Sequence, residues 1–103
     1  MEELSQSGLN VDLQKKIIGL IKVIAPEAAI YLYGSRARGD YRDYSDIDIA
    51  LDAGKPLDRL VLIEIKDVLE AMHMVMKCDV VDLHNISEDL RAEIKKEGAL
   101  WSR

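Results

Sequence analysis

Hydrophobic positions near the start of the chain repeat with the spacing of an α-helix. Apolar residues recur three or four positions apart and would form one face of that helix: Val11, Leu13, Ile17, Leu20, Ile21 and Ile24. Asn10 is a suitable N-cap, and Pro26 is expected to stop the helix because proline cannot continue its hydrogen bonding. Residues 1–9 are largely polar, and we predict that they are frayed.

Three shorter stretches have the pattern of β-strands. The apolar stretch AAIYLY (28–33) is rich in residues that favour strands. The stretch SDIDIAL (45–51) alternates polar and apolar residues, which puts Asp46 and Asp48 on one face of a strand. The stretch CDVVDL (78–83) predicts a third strand.

Two further helices are predicted between and after these strands. Apolar residues from Leu57 to Met72 follow helical spacing, and Ser87 is expected to cap a last helix. That helix has acidic residues in its first turn, basic residues in its last turn and Gly98 just beyond, which matches the helix dipole. The order predicts a single domain over residues 1–103 of α/β class, a small mixed β-sheet packed by helices.

Composition and charge limit the classes of function. A chain of 103 residues with 49% hydrophobic residues is typical of one soluble globular domain. A formal net charge of −5 argues against general binding of nucleic acid, which depends on clustered Lys and Arg. The single Cys78 cannot form an internal disulfide, and the chain shows neither a signal peptide nor an apolar run of the ~20 residues that span a membrane. We therefore expect a cytoplasmic protein.

The alternating carboxylates of residues 45–51 are the first candidates for a functional site. Side chains on the same face of a strand lie ~6.6 Å apart at Cα, so Asp46 and Asp48 would repel one another and raise each other's pKa unless a cation lay between them. Mg²⁺ is a suitable cation because it binds carboxylates together with substrate phosphates. Taken alone, however, this tripeptide is equally typical of a solvated face on an edge strand.

The loop before these carboxylates favours a phosphate ligand. Gly34 lets the backbone approach a ligand closely, and the Ser35 hydroxyl with neighbouring N–H groups can hold phosphate oxygens. Three loop arginines could neutralise a triphosphate, although each could equally pair with a loop aspartate: Arg36, Arg38 and Arg42. Arg36 is the strongest candidate of the three because it adjoins Ser35.

A Gly-Ser pair, ten intervening residues and an Asp-x-Asp, as in GSRARGDYRDYSDID, closely resemble the signature of the polymerase-β-like nucleotidyltransferase superfamily. The order of elements over nearly the whole chain resembles the minimal nucleotidyltransferases, known as MNT proteins. The resemblance implies the polymerase-β-like fold. It also implies that Gly34 and Ser35, helped by Arg36, bind the triphosphate and that Asp46 and Asp48 bind Mg²⁺.

The family's third carboxylate begins the next strand, and the stretch CDVVDL offers two candidates. Asp79 and Asp82 point to opposite faces of a regular strand. Asp79 fits the family pattern better, so the resemblance implies that it is the general base or a ligand of a second Mg²⁺. Asp82 is kept as a weaker candidate and is interpreted as a solvated residue at the end of the strand.

The resemblance further implies the reaction and the partner. Members of the MNT family transfer AMP from ATP, with two Mg²⁺ ions, to a tyrosine of a HEPN RNase toxin, so the chain would be an antitoxin in a hetero-oligomer. An alternative is a non-catalytic antitoxin that neutralises its partner by occlusion. A third hypothesis is a small-molecule nucleotidyltransferase whose helical half is a separate chain.

The remaining residues with potential chemistry are interpreted as structural. They lack partners at suitable spacing, and core packing or surface exposure accounts for them: His73, His84, Cys78, Tyr41, Tyr44, Trp101 and the methionines 72, 74 and 76.

Overall fold

Four strands form one mixed sheet within residues 6–103, the part of the chain that this computed structural model describes. In chain order the elements are α1 (Val11–Ile24), β1 (Ala29–Tyr33), α2 (Ser35–Arg38), β2 (Ile47–Asp52), α3 (Arg59–Glu70), β3 (Cys78–Asp82), α4 (Glu88–Glu97) and β4 (Ala99–Ser102). The strand order across the sheet is β3-β2-β1-β4. Strand β1 is antiparallel to both β2 and β4, whereas β2 and β3 are parallel.

The main core lies between one face of the sheet and helices α1 and α3. The buried residues come from both layers: Ile17, Ile21, Ile30, Leu32, Ile47, Ile49, Leu51, Ile65 and Leu69. Helix α4 covers part of the opposite face through a smaller cluster of Ala50, Leu83 and Ile94.

The N-cap residues predicted for the first and last helices are confirmed. The side-chain oxygen of Asn10 accepts hydrogen bonds from the backbone N–H groups of residues 12 and 13, at 2.8 and 3.2 Å. Ser87 Oγ accepts one from the N–H of residue 90 at 3.2 Å. The middle helix begins at Arg59 behind an Asp58 cap, two residues later than predicted. The N–H of Leu57 bonds instead to the side chain of Asp82, at 2.7 Å.

Two short elements are absent from the sequence-based prediction. Helix α2 is a single turn inside the loop predicted for residues 34–44, and four residues are too few to show a helical period. Strand β4 follows α4 directly and pairs with the outer edge of β1. Gly98 makes this reversal possible, because a Cβ there would lie 2.5 Å from the carbonyl oxygen of Ile94. Trp101 of β4 packs against the main core, as predicted.

The prediction of a frayed segment over residues 1–9 is wrong for its later part. Ser7 and Leu9 are buried, with 6% and 1% of their surface exposed. The carbonyl of Ser7 accepts a hydrogen bond from a buried arginine, and the Leu9 side chain joins the core. Residues 1–5 lie outside the described part of the chain.

The interpretation of Asp82 as a solvated residue is also wrong. Only 4% of its surface is exposed, and its carboxylate accepts hydrogen bonds from the backbone N–H groups of Leu57 and His84 at 2.7 and 3.0 Å. Its side chain therefore joins the loop before α3 to the loop after β3. As the strand alternation predicted, it faces away from Asp79.

No helix between residues 6 and 103 combines the length and the apolar character needed to cross a bilayer.

Replacing Asp82 by Ala should destabilise the fold by about 2 kcal/mol or more, because two N–H donors lose their acceptor in a buried place. Urea unfolding of Asp82→Ala against the wild type measures this cost. Asp67→Ala is the matched control, since Asp67 lies exposed on α3. Equal unfolding midpoints for the two variants would contradict the assigned role of Asp82.

Candidate active site

One end of β1, one end of β2 and one end of β3 meet at the same end of the sheet and bring two carboxylates together. Strand β1 ends where β2 and β3 begin, because β1 is antiparallel and β3 parallel to β2. Tyr33 pairs across the sheet with Asp48, and Asp48 pairs with Asp79. Paired residues on adjacent strands share a face, so these three side chains form one row on the α4 side of the sheet.

Gly34 lies directly under the carboxylate of Asp48. A Cβ at this position would be 2.4 Å from Asp48 Oδ2, and the backbone φ of 75° is one that glycine adopts most readily. Helix α2 starts immediately afterwards, at Ser35. The first N–H groups of a helix have no partner within the helix, so this turn presents hydrogen-bond donors beside Asp48. Gly34 and Asp48, the second carboxylate of the Asp-x-Asp, are thus in close contact.

Negative charge dominates the row. The pKa of Asp48 is raised, first by partial burial and then by the neighbouring carboxylates of Asp79 and Asp46. The positive charges of Arg38 and Lys77 act on Asp48 in the opposite direction. A cation bound at this place would relieve the repulsion that the folded chain leaves uncompensated.

Two neighbouring groups stay protonated for the same reasons. Burial, followed by the charges of Asp48 and Asp79, raises the pKa of the Tyr33 phenol to about 12. The same causes, with Asp79 before Asp48, raise the pKa of the Cys78 thiol to about 12. Cys78 is therefore no nucleophile at neutral pH, which agrees with its interpretation as a packing residue.

The other two predicted carboxylates flank Asp48 in less buried places. Asp46 is exposed and immediately precedes β2, and the Asp79 side chain, 44% exposed, makes an ion pair with Lys77 at 3.4 Å. Among the residues of the described range, no three His, Cys, Asp or Glu side chains are grouped closely enough to hold a metal ion. One or two carboxylates completed by substrate phosphates and water are nevertheless what Mg²⁺ commonly uses, so the donor set fits that ion.

The position of Arg36 in the sequence predicts a contact with the triphosphate. In the structure its side chain binds backbone carbonyls of the chain itself. Its guanidinium is buried, with 3% of the residue exposed, and donates to the carbonyls of Ser7, Ser45 and Asp43 at 2.9, 3.1 and 3.1 Å. It also stacks over the Tyr41 ring, 5.1 Å from the ring centre. These contacts fix the path of the loop between α2 and β2, so the role of Arg36 is to shape the site.

Arg38 is the arginine of this loop whose charge reaches Asp48. It lies three residues after Ser35, one turn along α2, and pairs with Asp40 at 3.4 Å and with Glu97 of α4 at 3.5 Å. The pair with Asp40 is the more exposed of the two, and a surface ion pair of this kind can exchange for a stronger anion at little cost. Had α2 been predicted from the sequence, Arg38 would have been a stronger candidate than Arg36 for the arginine that binds phosphate.

A pair formed by a histidine and an aspartate, which the sequence did not predict, lies at the opposite end of β2. His84 Nε2 and Asp52 Oδ1 are 2.6 Å apart. This hydrogen bond, followed by one from the N–H of Gly54, lowers the pKa of Asp52. The pair joins the loops after β2 and β3 and is remote from Asp48 along the strand. The spacing of 32 residues between its members gave no local signal.

Comparison with known proteins identifies the family. The model of the family described as polymerase beta, nucleotidyltransferase, matches residues 15–102. The chain belongs to this family. The nucleotidyltransferase fold predicted from the sequence is thereby confirmed, together with the mixed sheet packed by helices.

Relatives of this nucleotidyltransferase include MntA proteins and toxin–antitoxin complexes. It is 36% identical over 90 residues to the protein adenylyltransferase MntA of Shewanella oneidensis, covering 85% of this chain and 64% of that relative. A crystal structure of a toxin–antitoxin with AMP-PNP matches with a TM-score of 0.72 and 32% identity, over 85% of this chain and 71% of the other. The structure of the tri-AMPylated Shewanella oneidensis HEPN toxin in complex with MNT antitoxin matches with a TM-score of 0.66 and 30% identity, over 85% and 67% of the chains.

Replacing Gly34 by Ala should displace the Asp48 carboxylate and destabilise the nucleotidyltransferase by more than backbone strain alone. Gly39→Ala is the matched control, because Gly39 also has a positive φ, 91°, but open space where the Cβ would lie. Backbone strain costs about 1–2 kcal/mol at Gly39, whose ψ of 3° is left-handed helical, and about 1–3 kcal/mol at Gly34, whose ψ of −157° lies in a region essentially confined to glycine. Urea unfolding should therefore show a larger loss for Gly34→Ala, and equal losses would contradict the close packing of Asp48 on Gly34.

Replacing Asp48 by Asn should stabilise the folded chain at neutral pH. Because the folded pKa of Asp48 is raised above the model value of 3.8, its charge destabilises the fold increasingly as the pH rises above that value. The advantage of Asp48→Asn in urea unfolding should therefore shrink as the pH is lowered towards 4.

Asp52→Asn provides the opposite control. The folded pKa of Asp52 is lowered, so its contribution to stability is present above the unfolded pKa and is lost as the pH falls through the folded one. The variant should be less stable than the wild type at neutral pH, and this deficit should disappear in acid. A stability loss for Asp48→Asn at pH 7 would contradict the repulsion described here.

Proposed function

We propose that this chain is a magnesium-dependent nucleotidyltransferase that transfers AMP from ATP to a tyrosine hydroxyl of a HEPN toxin, and thereby acts as its antitoxin. The observation that carries the proposal is the placement of Asp48 between Gly34 and Asp79 at the shared end of three strands. Family membership and the likeness to MntA and to an AMPylated toxin complex support the choice of reaction and partner. We expect the reaction to take place in the cytoplasm, where ATP is present.

The triphosphate binds on the β1 side of Asp48 in this proposal. The Ser35 hydroxyl and the N–H groups that open α2 donate to its oxygens, next to the Asp48 carboxylate that the missing side chain of Gly34 leaves room for. Arg38 turns from its exposed ion pair with Asp40 to the triphosphate, in place of the buried Arg36. Each of these groups lies beside Asp48 and supplies hydrogen bonds or positive charge to an anion.

Asp46 and Asp48 would hold Mg²⁺, with Asp79 as a ligand of a second ion. Mg²⁺ held there would supply positive charge to the α-phosphate and the leaving pyrophosphate. Asp79 accepts the proton of the attacking hydroxyl as its oxygen forms a bond to the α-phosphorus, and the bond from that phosphorus to pyrophosphate breaks. The exposure of Asp79 at the sheet edge leaves it accessible to a macromolecular acceptor.

Intact mass spectrometry of a HEPN toxin tests the proposal directly. Incubation with this chain, Mg²⁺ and ATP should add the mass of one or more AMP groups, and EDTA should prevent the addition. The Asp46→Asn/Asp48→Asn variant should lose transfer while still binding the toxin, because these carboxylates hold the metal.

The same experiment separates catalysis from occlusion. A toxin that is neutralised by both the wild type and the double variant, with no change in mass with any nucleoside triphosphate, would overturn the transferase and leave a binding antitoxin. AMP added to a small molecule but never to the toxin would favour a different acceptor.

Replacing Arg38 by Gln should raise the KM for ATP about tenfold with little change in kcat, because a charge-assisted hydrogen bond is worth about 1.5–3 kcal/mol. Arg42→Gln is the matched control, since Arg42 is an exposed arginine of the same loop. Equal KM values for ATP in the two variants would remove Arg38 from the triphosphate site.

A further inference from the structure

We propose that Glu97, the last residue of α4, is a positioning residue that orients the Arg38 guanidinium towards the triphosphate of ATP; this inference rests on the proposed transferase function. When the nucleotide binds, Arg38 gives up its ion pair with Asp40 and keeps the one with Glu97. The two carboxylates therefore act in opposite directions, since Asp40 competes with the triphosphate and Glu97 supports its binding. Glu97 lies on a different element from the Gly-Ser and Asp-x-Asp signature.

The fold brings the end of α4 to the catalytic end of the sheet. Strand β4 follows α4 directly and is antiparallel to β1, with Ala99 opposite Leu32. Leu32 immediately precedes Tyr33, the member of the row that pairs with Asp48. Helix α4 packs on the face of the sheet that this row shares. Glu97, two residues before Ala99, is therefore at the same end and on the same face of the sheet as Asp48.

Arg38 contacts two carboxylates that differ in exposure and in anchoring. Its Nε lies 3.4 Å from Asp40 Oδ2, and its Nη1 lies 3.5 Å from Glu97 Oε2. The Asp40 side chain is 65% exposed and belongs to the loop after α2, whereas the Glu97 side chain is 22% exposed and lies where α4 joins β4. A well-solvated partner on a loop contributes little and is readily replaced. Asp40 is thus the contact that a triphosphate would displace.

The stability of α4 does not explain the sign of the charge on Glu97. The last turn of a helix favours positive side chains, which Lys95 and Lys96 supply, and disfavours a carboxylate. Glu93 lies one turn earlier and adds a like charge at the unfavourable spacing of four residues. The contact of Glu97 with Arg38 compensates this cost from another element of the fold. A local rule broken in this way is typical of a functional position.

A guanidinium can bind a carboxylate and a phosphate at the same time. It carries five N–H donors in a fixed plane, so Nη1 can remain on Glu97 while Nε and the other donors reach phosphate oxygens. The positive charge of Arg38 already acts on Asp48 before any nucleotide binds. Glu97 therefore holds the guanidinium near the row in advance, which reduces the entropy lost when the triphosphate binds.

Calorimetric titration of the chain with ATP and Mg²⁺, in the absence of toxin, tests this inference. Glu97→Gln should raise the dissociation constant for ATP about threefold, the size of effect expected for the loss of a partly exposed ion pair. Asp40→Asn should lower the same constant about twofold, because Arg38 loses the carboxylate that competes with the triphosphate.

Glu93→Gln is the matched control for net charge. Glu93 is an exposed glutamate of the same helix. Burial first, and then nearby carboxylates that include Glu93, raise the pKa of Tyr33 to about 12, so the charge of Glu93 reaches the row. Removal of a negative charge near an anion site should by itself favour the anion, so Glu93→Gln should not raise the dissociation constant for ATP. A rise in Glu97→Gln has the opposite sign and cannot come from net charge.

A double-mutant cycle shows whether Glu97 acts through Arg38. In the Arg38→Gln background, Glu97→Gln should leave the dissociation constant for ATP unchanged, because the guanidinium that it orients is absent. A merely structural role of Glu97 would weaken binding in both backgrounds. Equal effects of Glu97→Gln with and without Arg38 would therefore overturn the inference.

The outcomes separate this inference from the proposed function. An unchanged or lowered dissociation constant in Glu97→Gln, with AMP transfer by the wild type, would overturn the positioning role and leave the transferase intact. The expected changes in ATP binding without transfer to the toxin would overturn the transferase and leave Glu97 as part of a nucleotide-binding site. A wild type that binds no ATP would overturn both.

Discussion

The partly buried Asp48 carboxylate, held beside Asp79, is the constraint around which this end of the molecule is arranged. Their strands are parallel and in register, so the two side chains share a row and cannot separate without breaking the sheet. Partial burial is the largest cost to the charge on Asp48, and the neighbouring Asp79 and Asp46 carboxylates add to it. The core on the other face of the sheet maintains this arrangement, and a bound cation would convert the repulsion into affinity.

The loop between α2 and β2 shows how a small fold keeps such a site in place. Arg36 is buried and donates to four backbone carbonyls, three of them in this loop and one in the segment before α1. Buried backbone carbonyls need donors, and one guanidinium supplies several in a fixed planar arrangement. Gly34 then allows the Asp48 carboxylate to lie against the backbone where any side chain would collide with it. Rigid support and close approach are thus provided by neighbouring residues of one motif.

Exposed cations on either side of Asp48 divide the site into two halves. Arg38 belongs to α2, and Lys77 immediately precedes β3. Both are held only by surface ion pairs, which contribute little to stability and so can exchange partners.

The sequence by itself determined the helices with clear periodicity, the three strands of the site, and the parity that separates Asp79 from Asp82. These features are local, because alternation, capping residues and helical spacing act over a few neighbours. Tertiary structure decided which arginine is buried, that Asp82 holds two loops together, that His84 meets Asp52, and that a fourth strand closes the sheet. Each of these depends on contacts between segments far apart in the chain, for which local spacing carries no signal.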